Sequence, residues 1–147
     1  MRIPGGVPSA HVDTFARSLL PAPDLWPVFD YSAAHLRDYP DRINVSVALL
    51  DAAVADGHAE DVMLHYEGAT WSYRRLLDRV ERIARVLLED LRVIPGQCVL
   101  LRSANSPMLA ACWLAVVRIG AIAVASSPML REHELGFVVD KLHIRLA

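Results

Sequence analysis

Cysteine is scarce. The 147-residue chain holds two, Cys98 and Cys112, which excludes a dense disulfide framework and supplies no CxxC metal or redox motif. An excess of one charge sign is lacking too: 15 Lys and Arg face 17 Asp and Glu, a formal charge of -2. That balance gives no electrostatic footing for nucleic acid or an anionic membrane. Neither GxGxxG nor GxxxxGK[ST] occurs, so no phosphate cradle announces itself. The start, MRIPGGVPSAHVDTFARSLL, has no uninterrupted apolar core, because His11, Asp13 and Arg17 break it. A secretory signal is therefore not expected, and the cytoplasm is the expected location.

Hydrophobic residues make up 54% and charged residues 22%, a composition that folds rather than staying disordered. The length suits about one domain. Residues 107–130 carry one charge, Arg118, and are long enough to raise a membrane span. A central Arg costs about 2.5–3.5 kcal/mol on insertion. Gly120 and Pro128 also punctuate the run where a buried helix and a buried strand should end, so no span is expected.

Six of the nine prolines lie within residues 1–40. Residues 1–43 read as an extended arm, and Phe15, Leu19, Leu20, Leu25, Trp26 and Phe29 suggest an arm that packs on something. Residues 44–56 read as a helix capped by Asn44 and ended by Gly57. VMLHY (62–66) and ATW (69–71) flank Glu67-Gly68 as a short hairpin. Residues 73–91 form the clearest helix, with Ser72 as N-cap and Pro95-Gly96 expected to enforce the stop. Asp78–Arg82 and Glu81–Arg85 have the spacing of ion pairs on its charged face. CVLL (98–101) reads as a buried strand. Helix 107–119 follows, with Ser106 and Pro107 at its start and Gly120 at its end. AIAVA (121–125) reads as a second strand parallel to the first, and 131–142 as another helix. Ile144, Leu146 and Ala147 look like the opening of a third strand, so the chain reads as a piece of something longer.

Few side chains invite chemistry. Glu132, His133, Glu134 and His143 match no ligand spacing and read as solvated helix residues, and His58 and His65 sit on different elements. Cys98 and Cys112 read as core thiols. The loop Arg102-Ser103-Ala104-Asn105-Ser106 joins a strand's C-terminal end to a helix N-terminus. Ser126 and Ser127 share its edge, where open α/β sheets often bind ligands. Asn105 and Ser106 as backbone caps are the favoured reading there.

Several segments together resemble the adenylate-forming (AMP-binding) acyl-CoA synthetases. HYEGATWSYRRLLDRVERIARVL resembles the family's first core motif, a hairpin followed by a Ser/Thr-Tyr helix. RSANSPMLAACWLAVVRIGAIAVASSPMLREHEL resembles its Asn-x-Pro loop and the Gly-Ala segment beyond. DTFARSLLPAPDLWPVFDY and YPDRINVSVALLD resemble the N-terminus of the benzoate and 2-aminobenzoate CoA ligase branch. The resemblance implies an α/β fold: the N-terminal part of the large domain, with a hairpin and a βαβα unit of parallel strands. Residues 44–147 would form this partial subdomain.

The implied activity is aryl-acid CoA ligation, with ATP, Mg and CoA required by the full-length enzyme. The family's phosphate loop with its Lys, adenine and magnesium motif, ribose Asp and C-terminal Lys are all absent from this sequence. No catalytic, cofactor-binding or metal-ligating residue is therefore assigned. The carry-over is structural: Ser72 and Tyr73, Asn105 and Pro107, Gly120 and Ala121. The implied partners are the remainder of the ligase and, for the whole enzyme, an aromatic acid. A truncated paralogue serving as a docking module, or a gene remnant without function, are the competing readings. One departure is visible. The family usually has Glu three residues after the helix-opening Ser/Thr; here Arg75 stands there, losing a capping-box bond and placing a cation at the positive helix end.

Overall fold

The structure, a computed structural model, describes residues 9–33, 40 and 42–147. Residues 1–8, 34–39 and 41 of the expected arm lie outside the described residues. A single helical turn, α1 (Phe15–Ser18), stands in the arm. Asn44 caps the next helix as expected: its Oδ1 accepts from the Val47 N–H at 3.3 Å. A π-helical turn, Val47–Asp51, runs into α2 (Ala52–Ala55), and Gly57 ends it with φ +94°.

Strands β1 (Val62–Tyr66) and β2 (Ala69–Ser72) pair antiparallel. Glu67 and Gly68 join them, both at positive φ, the backbone pattern of a tight hairpin turn. Helix α3 (Tyr73–Arg85) follows at once and continues through a π-helical turn, Val86–Asp90. Its orphan N–H groups find partners in three ways. Tyr73 N–H donates to the Asp61 carbonyl at 3.2 Å, Arg74 N–H to the Ala59 carbonyl at 2.9 Å, and Arg75 N–H to Ser72 Oγ at 3.3 Å. Ser72 is thus the N-cap.

Pro95-Gly96 does not supply the stop. The helix ends at Asp90 with Leu91 as its C-cap, and Arg92, at φ 54°, turns the chain away. Pro95 and Gly96 instead receive the arm: the Val12 and Asp13 N–H groups both donate to the Pro95 carbonyl at 2.9 Å. Gly96 has φ +88°, and a Cβ there would strike the Asp13 backbone oxygen. Glycine is required at that contact on both counts.

Strand β3 (Cys98–Arg102), helix α4 (Pro107–Arg118) and strand β4 (Ile122–Ser126) form one crossover unit. The strands pair in parallel, from Cys98 opposite Ile122 to Arg102 opposite Ser126. Helix α5 (Glu132–Lys141) follows. Leu146 then makes a parallel bridge to Val99, and its carbonyl accepts from the Leu100 N–H at 2.9 Å. The expected third strand therefore opens beside β3.

Helices α3 and α4 pack together against one face of this sheet, and Leu50 joins them. Leu50, Leu76, Val80, Ala111 and Ala115 are fully buried. Each buried Leu stabilises the fold by about 1.5–3 kcal/mol relative to exposure. Successive strand residues face opposite ways, so Cys98 and Leu100 lie on the other face, where both are buried. Asp13 comes near Cys98 there, and Phe15 stacks on His143 with ring centroids 4.1 Å apart. The arm thus packs, through Val12 to Phe15, on its own chain.

The lone charge of the apolar run explains itself. Arg118 Nη1 and Nη2 grip Asp51 Oδ2 and Oδ1 at 2.7 and 2.8 Å, and Nη2 reaches Glu81 at 3.4 Å. The Arg118 carbonyl accepts from Asn44 Nδ2 at 2.8 Å. Glu81 therefore turns to Arg118 rather than pairing with Arg85 as its spacing suggested. The bonds from Arg118 hold the Asp51 carboxyl below its ordinary value, against the opposing effect of burial.

Arg75 also has partners that the sequence did not reveal. Its guanidinium lies 4.3 Å over the Trp71 ring, and Nη1 donates to the Thr70 carbonyl at 3.2 Å. From the sequence alone, Arg75→Glu should gain about 0.3–1 kcal/mol by relieving the charge–dipole conflict. The lost ring contact, about 0.5–1 kcal/mol, now offsets that gain. Urea melts should place Arg75→Glu within about 0.5 kcal/mol of wild type, whereas the same change in a Trp71→Leu background should stabilise. A gain as large in wild type as in that background would contradict the offset.

Asp51 sets an acid limb. Its folded pKa is depressed, so its stabilising contribution is complete above the unfolded value of about 3.9. The contribution is lost as pH falls through the folded value. Asp51→Asn should lower stability at pH 7 and flatten its fall between about pH 5 and pH 2. Parallel pH-stability curves for the two forms would rule the linkage out.

Candidate functional site

The ligand-binding edge of an open α/β sheet lies beyond the carboxyl ends of its strands. Here that edge is formed by the loops after Arg102 and after Ser126. The geometry ties them to each other. Arg102 Nη2 donates to the Pro128 carbonyl at 2.6 Å and to the Leu130 carbonyl at 2.9 Å. Ser106 Oγ accepts from the Leu109 N–H at 3.2 Å and caps α4, with Pro107 at its first position. Ser127 Oγ accepts from the Met129 N–H at 3.2 Å.

The capping reading therefore holds for Ser106. It does not hold for Asn105, which is exposed and takes no part in the helix cap. Ser126 Oγ is buried without a hydrogen-bond partner among the described residues. The tie made by Arg102 was not legible in the sequence, because its acceptors are backbone carbonyls 26 and 28 residues away.

The other candidates stay apart. Glu134 accepts from the Arg131 backbone N–H at 2.8 Å, so it closes the start of α5. His143 is occupied by Phe15. His58 Nδ1 lies 2.7 Å from Asp61 Oδ2, in an exposed local pair. No cluster of three or more His, Cys, Asp or Glu side chains able to hold a metal occurs among the described residues. Cys98 and Cys112 are free thiols, and burial pushes both upward from the ordinary thiol value, the opposite of what a nucleophile needs. No helix of the described residues is long and apolar enough to cross a membrane.

These residues do not fit a nucleotide triphosphate with its magnesium. Arg102 at the sheet edge already binds two carbonyls, and Ser106 and Ser127 already accept from nearby backbone N–H groups.

The model of the family described as AMP-binding enzyme matches residues 51–147. The chain belongs to the AMP-binding enzyme family. Its fold is shared with solved structures. The anthranilate CoA ligase AuaEII, in complex with anthranoyl-AMP, superposes with a TM-score of 0.67 at 23% identity. That match covers 74% of this chain and 20% of AuaEII. The N-terminal subdomain of NpsA from Klebsiella oxytoca gives 0.59 at 25% identity, covering 65% of this chain and 25% of that one. MatB from Rhodopseudomonas palustris gives 0.63 at 22% identity, covering 69% and 20%. The chain thus spans about a quarter or less of the structures it matches. No curated protein matches it.

Proposed function

We propose that the chain is the N-terminal part of an aryl-acid CoA ligase of the benzoate or 2-aminobenzoate type. The match to the AMP-binding family over residues 51–147 is the observation that carries this reading. The likeness of fold to a ligase that holds anthranoyl-AMP supports it. In the complete enzyme, a carboxylate oxygen would attack the α-phosphorus of ATP and release pyrophosphate. The CoA thiol would then take the acyl group, and AMP would leave. The groups for both steps, and for Mg and CoA, would lie in the remainder of the ligase. Residues 1–43 would be the arm and 44–147 a part of the large domain. A cytoplasmic location goes with this reading.

A docking module is the second reading. Large apolar side chains on the arm and beyond β4 favour it: Leu25, Val28, Met129 and Phe137 are 71, 82, 85 and 63% exposed. Where such side chains form one contiguous patch, they mark contact with another protein surface. The missing remainder of the ligase fits that role as well as any separate subunit.

The 147-residue chain alone should not catalyse adenylation, because it carries neither the family's phosphate loop nor its catalytic Lys to meet the charge that develops in transfer. Pyrophosphate exchange with benzoate and with 2-aminobenzoate is the measurement. The expected result is no exchange above a no-protein control. Exchange that disappears when this chain is mutated would overturn the inactivity.

A further inference from the structure

The outward side of α3 is crowded with arginine. Arg74, Arg75, Arg79 and Arg82 line a groove of about 320 Å³, together with Glu60, Ser72 and Asp78. That volume falls at the lower end of small-ligand sites, about 300–1,000 Å³. Four guanidinium groups face two carboxylates there, in a chain whose net charge is -2.

Folding accounts for Arg75, through Trp71 and Thr70, but not for the arginines gathered beside it. Arg74 and Arg75 stand in the first turn, where the helix dipole disfavours cations. Arg75 and Arg79, four apart, and Arg79 and Arg82, three apart, repel one another. Arg74 meets Glu60 only at 3.9 Å. Arg79 and Arg82 make no ion pair or side-chain hydrogen bond among the described residues. The helix N–H groups are already satisfied, so the free donors in the groove are guanidinium groups. One of these is fixed in advance, since Arg75 is clamped between the Trp71 ring and the Thr70 carbonyl.

We propose that this groove binds a small anion carrying two or more phosphate groups. Guanidinium forks match phosphate oxygens bidentately. A diphosphate has the charge density to satisfy Arg74, Arg79 and Arg82 within a small volume, with Arg75 as a fixed wall. Glu60 and Asp78 repel any anion, so a singly charged ligand gains too little there. None of these residues belongs to the loops at the sheet edge, and the inference does not rest on the ligase reading.

Calorimetric titration of the 147-residue chain with inorganic pyrophosphate, ADP and orthophosphate tests it. Pyrophosphate and ADP should bind saturably at one site, orthophosphate more weakly, and all should weaken as salt rises. Arg79→Gln with Arg82→Gln should weaken pyrophosphate about tenfold or more while the circular dichroism spectrum is kept. Asp78→Asn should tighten it severalfold. Equal affinity for ADP and pyrophosphate would identify the phosphates as the whole ligand, and tighter ADP a nucleoside diphosphate. Absence of saturation with both, or affinity unchanged in the arginine variant, would overturn the proposal. Should that variant fail to fold, unchanged affinity in Asp78→Asn would overturn it equally.

Discussion

The grip of Arg118 on Asp51 is the contact on which the helical layer depends. Two parallel bonds of 2.7 and 2.8 Å join the end of α4 to the turn that begins α2. A third, longer contact reaches Glu81 on α3. The same residue's carbonyl holds Asn44, the cap of the preceding helix. Three helical segments are thereby fixed in register over one core. Bidentate Arg–carboxylate geometry gives direction as well as energy, which hydrophobic burial of Leu50, Leu76 and Val80 lacks. The pair is partly exposed, with side-chain accessibilities of 19 and 33%, so neither charge bears the full cost of burial.

Much of the fold was legible in the sequence because its signals are local. Asn44, Ser72 and Ser106 announce helix starts, Gly57 and Gly120 announce ends, and the hairpin turn follows from Glu67-Gly68. The continuous apolar runs at 98–101 and 121–125 give two strands buried by neighbours, with a crossover helix between them. These misreadings concern partners that lie outside helix α3. Pro95-Gly96 resembles a helix stop but serves as the landing place of Val12 and Asp13, more than eighty residues back in the chain. Glu81 has the spacing for Arg85 but faces Arg118. Arg75 breaks a capping box and finds an aromatic ring instead. Spacing along a helix shows which partners are near, and tertiary packing decides among them.

The candidate site was legible only as a location. Strand ends followed by capped loops mark the edge where α/β sheets bind ligands, and the structure does bring Arg102, Ser106, Ser126 and Ser127 to that edge. The side chains there organise the loops, through the cap at Ser106, the Ser127 bond and the Arg102 tie. An arm that brings Asp13 near Cys98 and stacks Phe15 on His143 adds to this scaffold. Family membership and fold place this scaffold within adenylate-forming enzymes, and the chemistry of its own surface lies in the arginine face of α3.

The central claim is that Arg118 and Asp51 act as one unit that orders the helices. A double-mutant cycle in urea, with Arg118→Met, Asp51→Leu and the pair, measures that coupling directly. The account predicts a coupling of at least about 1 kcal/mol, with the double variant recovering much of what either single change loses. A coupling below about 0.3 kcal/mol, with the two losses simply adding, would contradict it.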